Sequence, residues 1–191
     1  GEDRYLVAFT HKNAEYANML SEGTNLDLFL FKKTGDLYEL IARTSSDGLV
    51  NGSSGAAAIA DMTYDHIMNS DPVSIGSHYK GFLVRLNYSG GGKSTNSAYI
   101  VVLDENNKKI YDIENDVRFA EKDWTNNSEY EYASFYFLDK SKESNGVYNL
   151  AVLYEGNNDL RKSYDDAPKI APYNIYKTYK FDGKSYKLES E

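Results

Sequence analysis

The chain contains no cysteine, which excludes disulfides, thiolate nucleophiles, iron–sulfur clusters and cysteine-ligated zinc together. That absence leaves the redox compartment open, because a thiol-free chain suits either environment. Proline occurs three times and tryptophan once. No stretch approaches the roughly 18 consecutive apolar residues of a membrane helix, so membrane insertion is not expected. Blocks of positive charge are missing too. The 21 Lys and Arg are scattered among 29 Asp and Glu, leaving a net charge of -8. A chain this acidic repels phosphate backbones and anionic lipid surfaces, so nucleic acid is not an expected partner.

What is present is ample material for a core. Hydrophobic residues make up 41% of 191 positions, and aromatics 14%, led by 18 Tyr. Tyrosine buries a ring while keeping its hydroxyl wet or hydrogen-bonded, which suits half-exposed sheet faces and binding surfaces. The length fits one β-rich domain over residues 2–191. Gly1, standing before Glu-Asp-Arg, reads as a scar of proteolytic trimming. Trimming of that kind commonly removes a leader or lipid anchor, so the expected location is extracytoplasmic: periplasmic, lipoprotein or secreted.

The stretch from Phe82 to Ile113 sets the pattern for the rest. Two apolar arms, Phe82–Tyr88 and Ala98–Leu103, flank three glycines and Lys-Ser-Thr-Asn-Ser. The chain then turns through Asp-Glu-Asn-Asn and returns as Lys109–Ile113. Branched and aromatic residues fill the arms while Gly, Asn and Asp fill the gaps, the signature of strands joined by turns.

The same grammar runs through the chain. Strands are expected at Tyr5–Thr10, Asn25–Lys32, Leu37–Arg43, Val73–Tyr79, Gly81–Tyr88, Tyr130–Leu138, Tyr148–Tyr154, Asp159–Tyr164, Tyr173–Phe181 and Ser185–Glu189. Asn25–Lys32 is apolar on both of its faces. Thr34-Gly-Asp and Asp182-Gly are the clearest hairpin turns. Lys140–Gly146 reads as a loop, and Pro168 and Pro172 bracket a stiff linker. Ala56–Met68 is expected as a strand, with Met62, Tyr64 and His66 on one face. One short helix is the alternative to irregular chain near residues 13–21. The fold class is therefore all-β, built of antiparallel hairpins as a sandwich, a barrel or a small propeller.

Four hairpins share an apolar strand, a polar turn and a Tyr-bearing return, around Thr34–Asp36, Asp104–Asn107, Glu155–Asn158 and Asp182–Lys184. These turns resemble those of FG-GAP-type propellers and of exported bacterial proteins. The resemblance covers turns alone: no hairpin supplies that family's dense Asp-x-Asn-x-Asp calcium loop, and no residue carries over.

Candidate chemistry is sparse. Gly92-Lys-Ser invites a phosphate-loop reading, but the first glycine would fall on Asn87 and a strand follows instead of a helix. His11, His66 and His78 include no pair at helical zinc spacing; His66 and His78 lie on neighbouring expected strands. Asp112, Glu114 and Asp116 alternate, so in a strand their carboxylates project from one face and can hold calcium through oxygen. A solvated row of like charges guarding an edge has the same pattern. No Gly-x-Ser-x-Gly elbow is present, and 29 acids identify no catalytic pair.

The expected function follows from these exclusions. It is a non-catalytic bacterial-type binding protein, recognising a glycan or a basic protein through an acidic, tyrosine-rich surface. The aromatic residues nearest the irregular centre are Tyr88, Tyr99, Trp124, Tyr130 and Tyr132, which can stack on sugar rings or anchor a protein. A carboxylate-dependent hydrolase of glycosidase type is the competing reading. An immunity or inhibitor protein directed at a cationic enzyme is the other.

Overall fold

The computed structural model describes residues 3–12, 24–45, 48–49, 63–90, 93–113, 118–123, 130–160, 166–167 and 169–190. The protein is mainly antiparallel β, with one short helix among the described residues. It divides into two compact units, Gly1–Val84 with Ile100–Ile113 and Arg85–Tyr99 with Glu114–Glu191.

The first unit holds β1 (Arg4–Lys12), β2 (Thr24–Thr34), β3 (Leu37–Arg43), helix α1 (63–68), β4 (Val73–Ser74) and β7 (Lys109–Ile113). It also takes the start of β5 (Lys80–Gly90) and the end of β6 (Lys93–Asp104). Its strands run β1-β2-β3-β7-β6-β5-β4, antiparallel apart from a parallel bridge at Arg43 and Lys109. This sheet curls: one cleft is lined both by β1, at one end of that order, and by β5, near the other.

Period-two alternation builds the inner face. Leu6, Ala8, Leu26, Leu28, Leu30 and Ala42 point inward along β1–β3, with Leu26, Leu28, Leu30 and Ala42 buried. Ile75, Phe82, Val84, Ile100, Val102, Ile110 and Ile113 complete the core. Each such side chain contributes about 1.5–3 kcal/mol when fully buried. Along β6 the run Ile100–Asp104 is buried without alternation, so that strand is covered on both faces. Two-residue turn chemistry closes β2 onto β3 through Gly35 and Asp36, with Gly35 at φ 62°.

The second unit contains β8 (Arg118–Asp123), β9 (Tyr130–Ser144), β10 (Val147–Asp159), β11 (Ile170–Pro172), β12 (Ile175–Phe181) and β13 (Tyr186–Ser190). Strand β9 pairs with β8 and β10, β10 also pairs with β12 and β11, and β12 pairs with β13. Val147, Leu150, Ala151, Val152, Tyr154, Phe181 and Tyr186 form its core. Side-chain hydrogen bonds to backbone tie this unit together. The Tyr186 hydroxyl donates to the Tyr148 carbonyl at 2.8 Å, and the Asn145 amide donates to the Phe181 carbonyl at 2.9 Å.

Several expectations are corrected. Of the strand expected over Ala56–Met68, residues 63–68 are helix, and 56–62 lie outside the described residues. The inward residues are Thr63 and Ile67, four apart, and the Asn69 side chain donates to the Asp65 carbonyl at 2.7 Å to close the end. Apolar spacing misled because the most buried position is a threonine. Val73–Tyr79 is strand only at Val73–Ser74, after which the chain bends. The loop at Lys140–Gly146 is strand as far as Ser144, closed by Asn145 (φ 50°) and Gly146 (φ 82°). That Asn-Gly pair is a strong hairpin signal that the polar residues before it obscured. Glu155–Asn158 is not a turn: β10 runs straight through it and pairs with β9 and β11. The stiff linker ends in a strand, since Pro172, in β11, pairs with Asn157 of β10. The helix expected near residues 13–21 lies outside the described residues.

Candidate functional site

The aromatic residues singled out from the sequence scatter along the second unit's chain segments. Tyr88 lies on β5, Tyr99 on β6, and Tyr130 and Tyr132 on β9, with only their backbones described; Trp124 lies outside the described residues. For the calcium reading, Asp112 sits on β7 and is half-buried, while Glu114 and Asp116 lie outside the described residues. Among the described residues, no three His, Asp or Glu side chains cluster in a way that could hold a metal. His66 is on α1 and His78 in the bend before β5, so they are not on neighbouring strands. Strand β6 opens at Lys93, where a phosphate loop needs a helix N-terminus.

Two surfaces of the first unit stand out instead. The first is the outer face of β1–β3. Register places Tyr5 opposite Phe31, Val7 opposite Phe29, Phe31 opposite Leu40 and Lys33 opposite Tyr38. Side chains of directly opposed residues share a face, so Tyr5, Val7, Phe9, Phe29, Phe31, Tyr38 and Leu40 lie together. Phe9 is 57% exposed and Tyr38 55%. Their rings meet edge to face, Tyr5 on Tyr38 at 5.3 Å and Phe9 on Phe29 at 6.0 Å between centroids. Lys33 Nζ stands 5.8 Å from the Tyr38 ring centre. At the margin, His11 Nδ1 lies 2.9 Å from Asp27 Oδ2, and Thr44 Oγ1 donates to Asp27 Oδ1 at 3.4 Å. Beside them the Asn25 side-chain oxygen is buried and has no hydrogen-bond partner.

Strand β1 also ends the sheet. Among the described residues it pairs only with β2, and no described strand lies along its second edge, next to the aromatic face.

The second surface is a cleft of about 700 Å³ on the concave side. Leu6 and Leu30 from β1 and β2, Phe82 from β5, Leu103 from β6 and Ile67 from α1 give it an apolar floor. Arg4, His78, Lys80 and Glu105 stand at its rim. Arg4 and Glu105 form a two-pronged pair, Nε to Oε1 at 3.1 Å and Nη2 to Oε2 at 3.0 Å, tying β1 to the turn after β6. Lys80 and Phe82 reach the same cleft because they are two apart on β5. Gly81 between them faces the opposite way, against Ile75 and the Val101 carbonyl.

Nearby, burial holds the Tyr111 hydroxyl up to about 12, with Tyr79 and the buried Asp104 adding to the rise. Asp104 accepts from the Asn107 amide nitrogen at 3.0 Å and its side chain at 2.8 Å, which fixes the β6–β7 turn carrying Glu105.

Neither surface was assigned from the sequence. The apolar character of both faces of Asn25–Lys32 was visible, but only register could join it to Tyr5 and Tyr38. Comparison with protein-family models, curated proteins and solved structures found no match to this chain.

Proposed function

We propose that the protein is a non-catalytic binding protein that recognises a protein partner through the outer face of β1–β3. The observation that carries this reading is a three-stranded sheet apolar on both sides. One side forms the core, and the other is a contiguous exposed aromatic patch beside a strand edge with no partner strand among the described residues. Exposed apolar patches of a few hundred Å² mark interaction sites, because leaving that area in water forfeits about 25 cal/mol per Å².

A terminal strand edge beside the patch favours a polypeptide over a glycan. An extended segment laid along β1 gains main-chain hydrogen bonds, and its alternate side chains fall on Phe9, Val7 and Tyr5. Charge on the face is mixed, so contact there is mainly apolar. The net charge of -8 acts at longer range and speeds encounter with a cationic partner. In this reading the protein works outside the cytoplasm, where a cysteine-free chain offers no thiol to oxidation.

Selection of random displayed peptides tests the proposal. Wild type should enrich segments that alternate apolar and polar residues, and Phe9→Ser with Tyr38→Ser should abolish the enrichment. Both positions are exposed, and the two ring pairs lost are worth about 0.5–1.5 kcal/mol each, so the variant should stay folded with stability lower by about 1–3 kcal/mol in thermal unfolding. Equal enrichment by wild type and double variant would refute the assignment. Glycan-array binding lost in the same variant would instead give this face to a sugar, stacked on the tyrosine and phenylalanine planes.

A further inference from the structure

We propose that the cleft of the first unit is a separate site for a small amphipathic anion, an apolar body carrying one carboxylate or comparable monoanionic head. Its volume of about 700 Å³ lies within the range of small-molecule sites, roughly 300–1,000 Å³. The floor, from Leu6 and Leu30 to Phe82 and Leu103, is apolar and takes the body of the ligand.

The rim selects the head. Among the described lining residues Arg4 and Lys80 face one carboxylate, Glu105, which leaves a surplus of one positive charge on a chain whose net charge is -8. Arg4 and Glu105 hold each other, so the surplus resides on Lys80. Among the described residues, the Lys80 ammonium and the His78 imidazole form no hydrogen bond or ion pair. Lys80 therefore reaches the mouth as a donor with no counter-charge among the described residues, with His78 as a second polar group beside it. A cation at the rim of an apolar hollow is worth more than one in open water, since the low-dielectric wall weakens screening. An amphiphile with a positive head meets the same floor but a repelling rim.

Calorimetric titration with sodium octanoate below its micellar concentration tests the site on the whole chain. Octanoate should bind, octylammonium should not, and added salt should weaken binding. Lys80→Gln should weaken octanoate by roughly tenfold, the scale of one charged hydrogen bond, while Lys80→Arg should retain it. Phe9→Ser should leave the affinity unchanged, which separates this site from the aromatic face. Methyl resonances of Leu6, Leu30, Ile67 and Leu103 should shift on saturation. Absence of heat, equal binding of octylammonium, or loss in Phe9→Ser with retention in Lys80→Gln would each overturn the proposal. None of these outcomes bears on the partner strand at β1, so the two readings fail independently.

Discussion

Gly81 offers the sharpest test of how the first unit is packed. It lies on β5, pairs with Val73 of β4 and is buried. A Cβ built on it collides with the Val101 carbonyl oxygen and comes within 2.9 Å of Ile75 Cδ1 and 3.1 Å of the Val101 carbonyl carbon. Two of these three atoms are backbone in β6, a strand buried on both faces, so rotamer changes cannot absorb the clash. Overpacking a well-packed core costs about 1–3 kcal/mol, and a clash with backbone belongs at the upper end. Gly81→Ala should therefore lose about 3 kcal/mol. With a urea slope near 2 kcal/mol per M, the unfolding midpoint should fall by about 1.5 M at unchanged slope. Gly35→Ala is the control: nothing lies within 4 Å of its Cβ, and only its φ of 62° is unfavourable. It should lose about 1–2 kcal/mol. A Gly81→Ala protein within about 0.5 kcal/mol of wild type would refute the close approach of β5 to β6. The spacing of Lys80 and Phe82 around the cleft would fall with it.

Two further outcomes follow from the turns and the buried phenols. Asn145→Ala places an ordinary side chain at φ 50° and removes the amide that donates to the Phe181 carbonyl, so it should destabilise by about 1–2 kcal/mol. Asn145→Gly should recover the backbone part of that loss in thermal unfolding. For pH, the raised folded-state value of Tyr111, about 12, means that its neutral form is the one the fold favours. Its contribution is fully present below the ordinary tyrosine value near 10 and is lost as pH rises from there towards 12. Tyr186, pushed up by burial, acts in the same direction. Urea midpoints should decline across that window, and Tyr111→Phe should flatten the decline; an unchanged pH profile in the variant would refute the burial of this hydroxyl.

Much of the architecture was legible because hairpins are local. Leu37–Arg43 and Lys109–Ile113 match their strands residue for residue, since period-two alternation bounded by Gly, Asn or Asp needs no distant information. Legibility failed where local pattern and tertiary demand parted. Residues 63–68 alternate like a strand, but a six-residue helix is too short to display its own period, and burial of Thr63 and Ile67 decides it. Glu-Gly-Asn-Asn at 155–158 carries a glycine and two asparagines, and pairing of Glu155 and Gly156 with β9 and of Asn157 and Asn158 with β11 keeps it extended.

Composition and pattern alone therefore determined the β class, most hairpins and the absence of thiol chemistry, because each depends on residues that are neighbours or on residues that are missing. The cleft and the aromatic face were decided only in three dimensions. Arg4, Ile67, Lys80 and Leu103 come from four separate segments, and Tyr5 meets Tyr38 only because β1 and β3 flank β2. Strand register sets which side chains share a face, and a shift of one residue would send each of them to the other side.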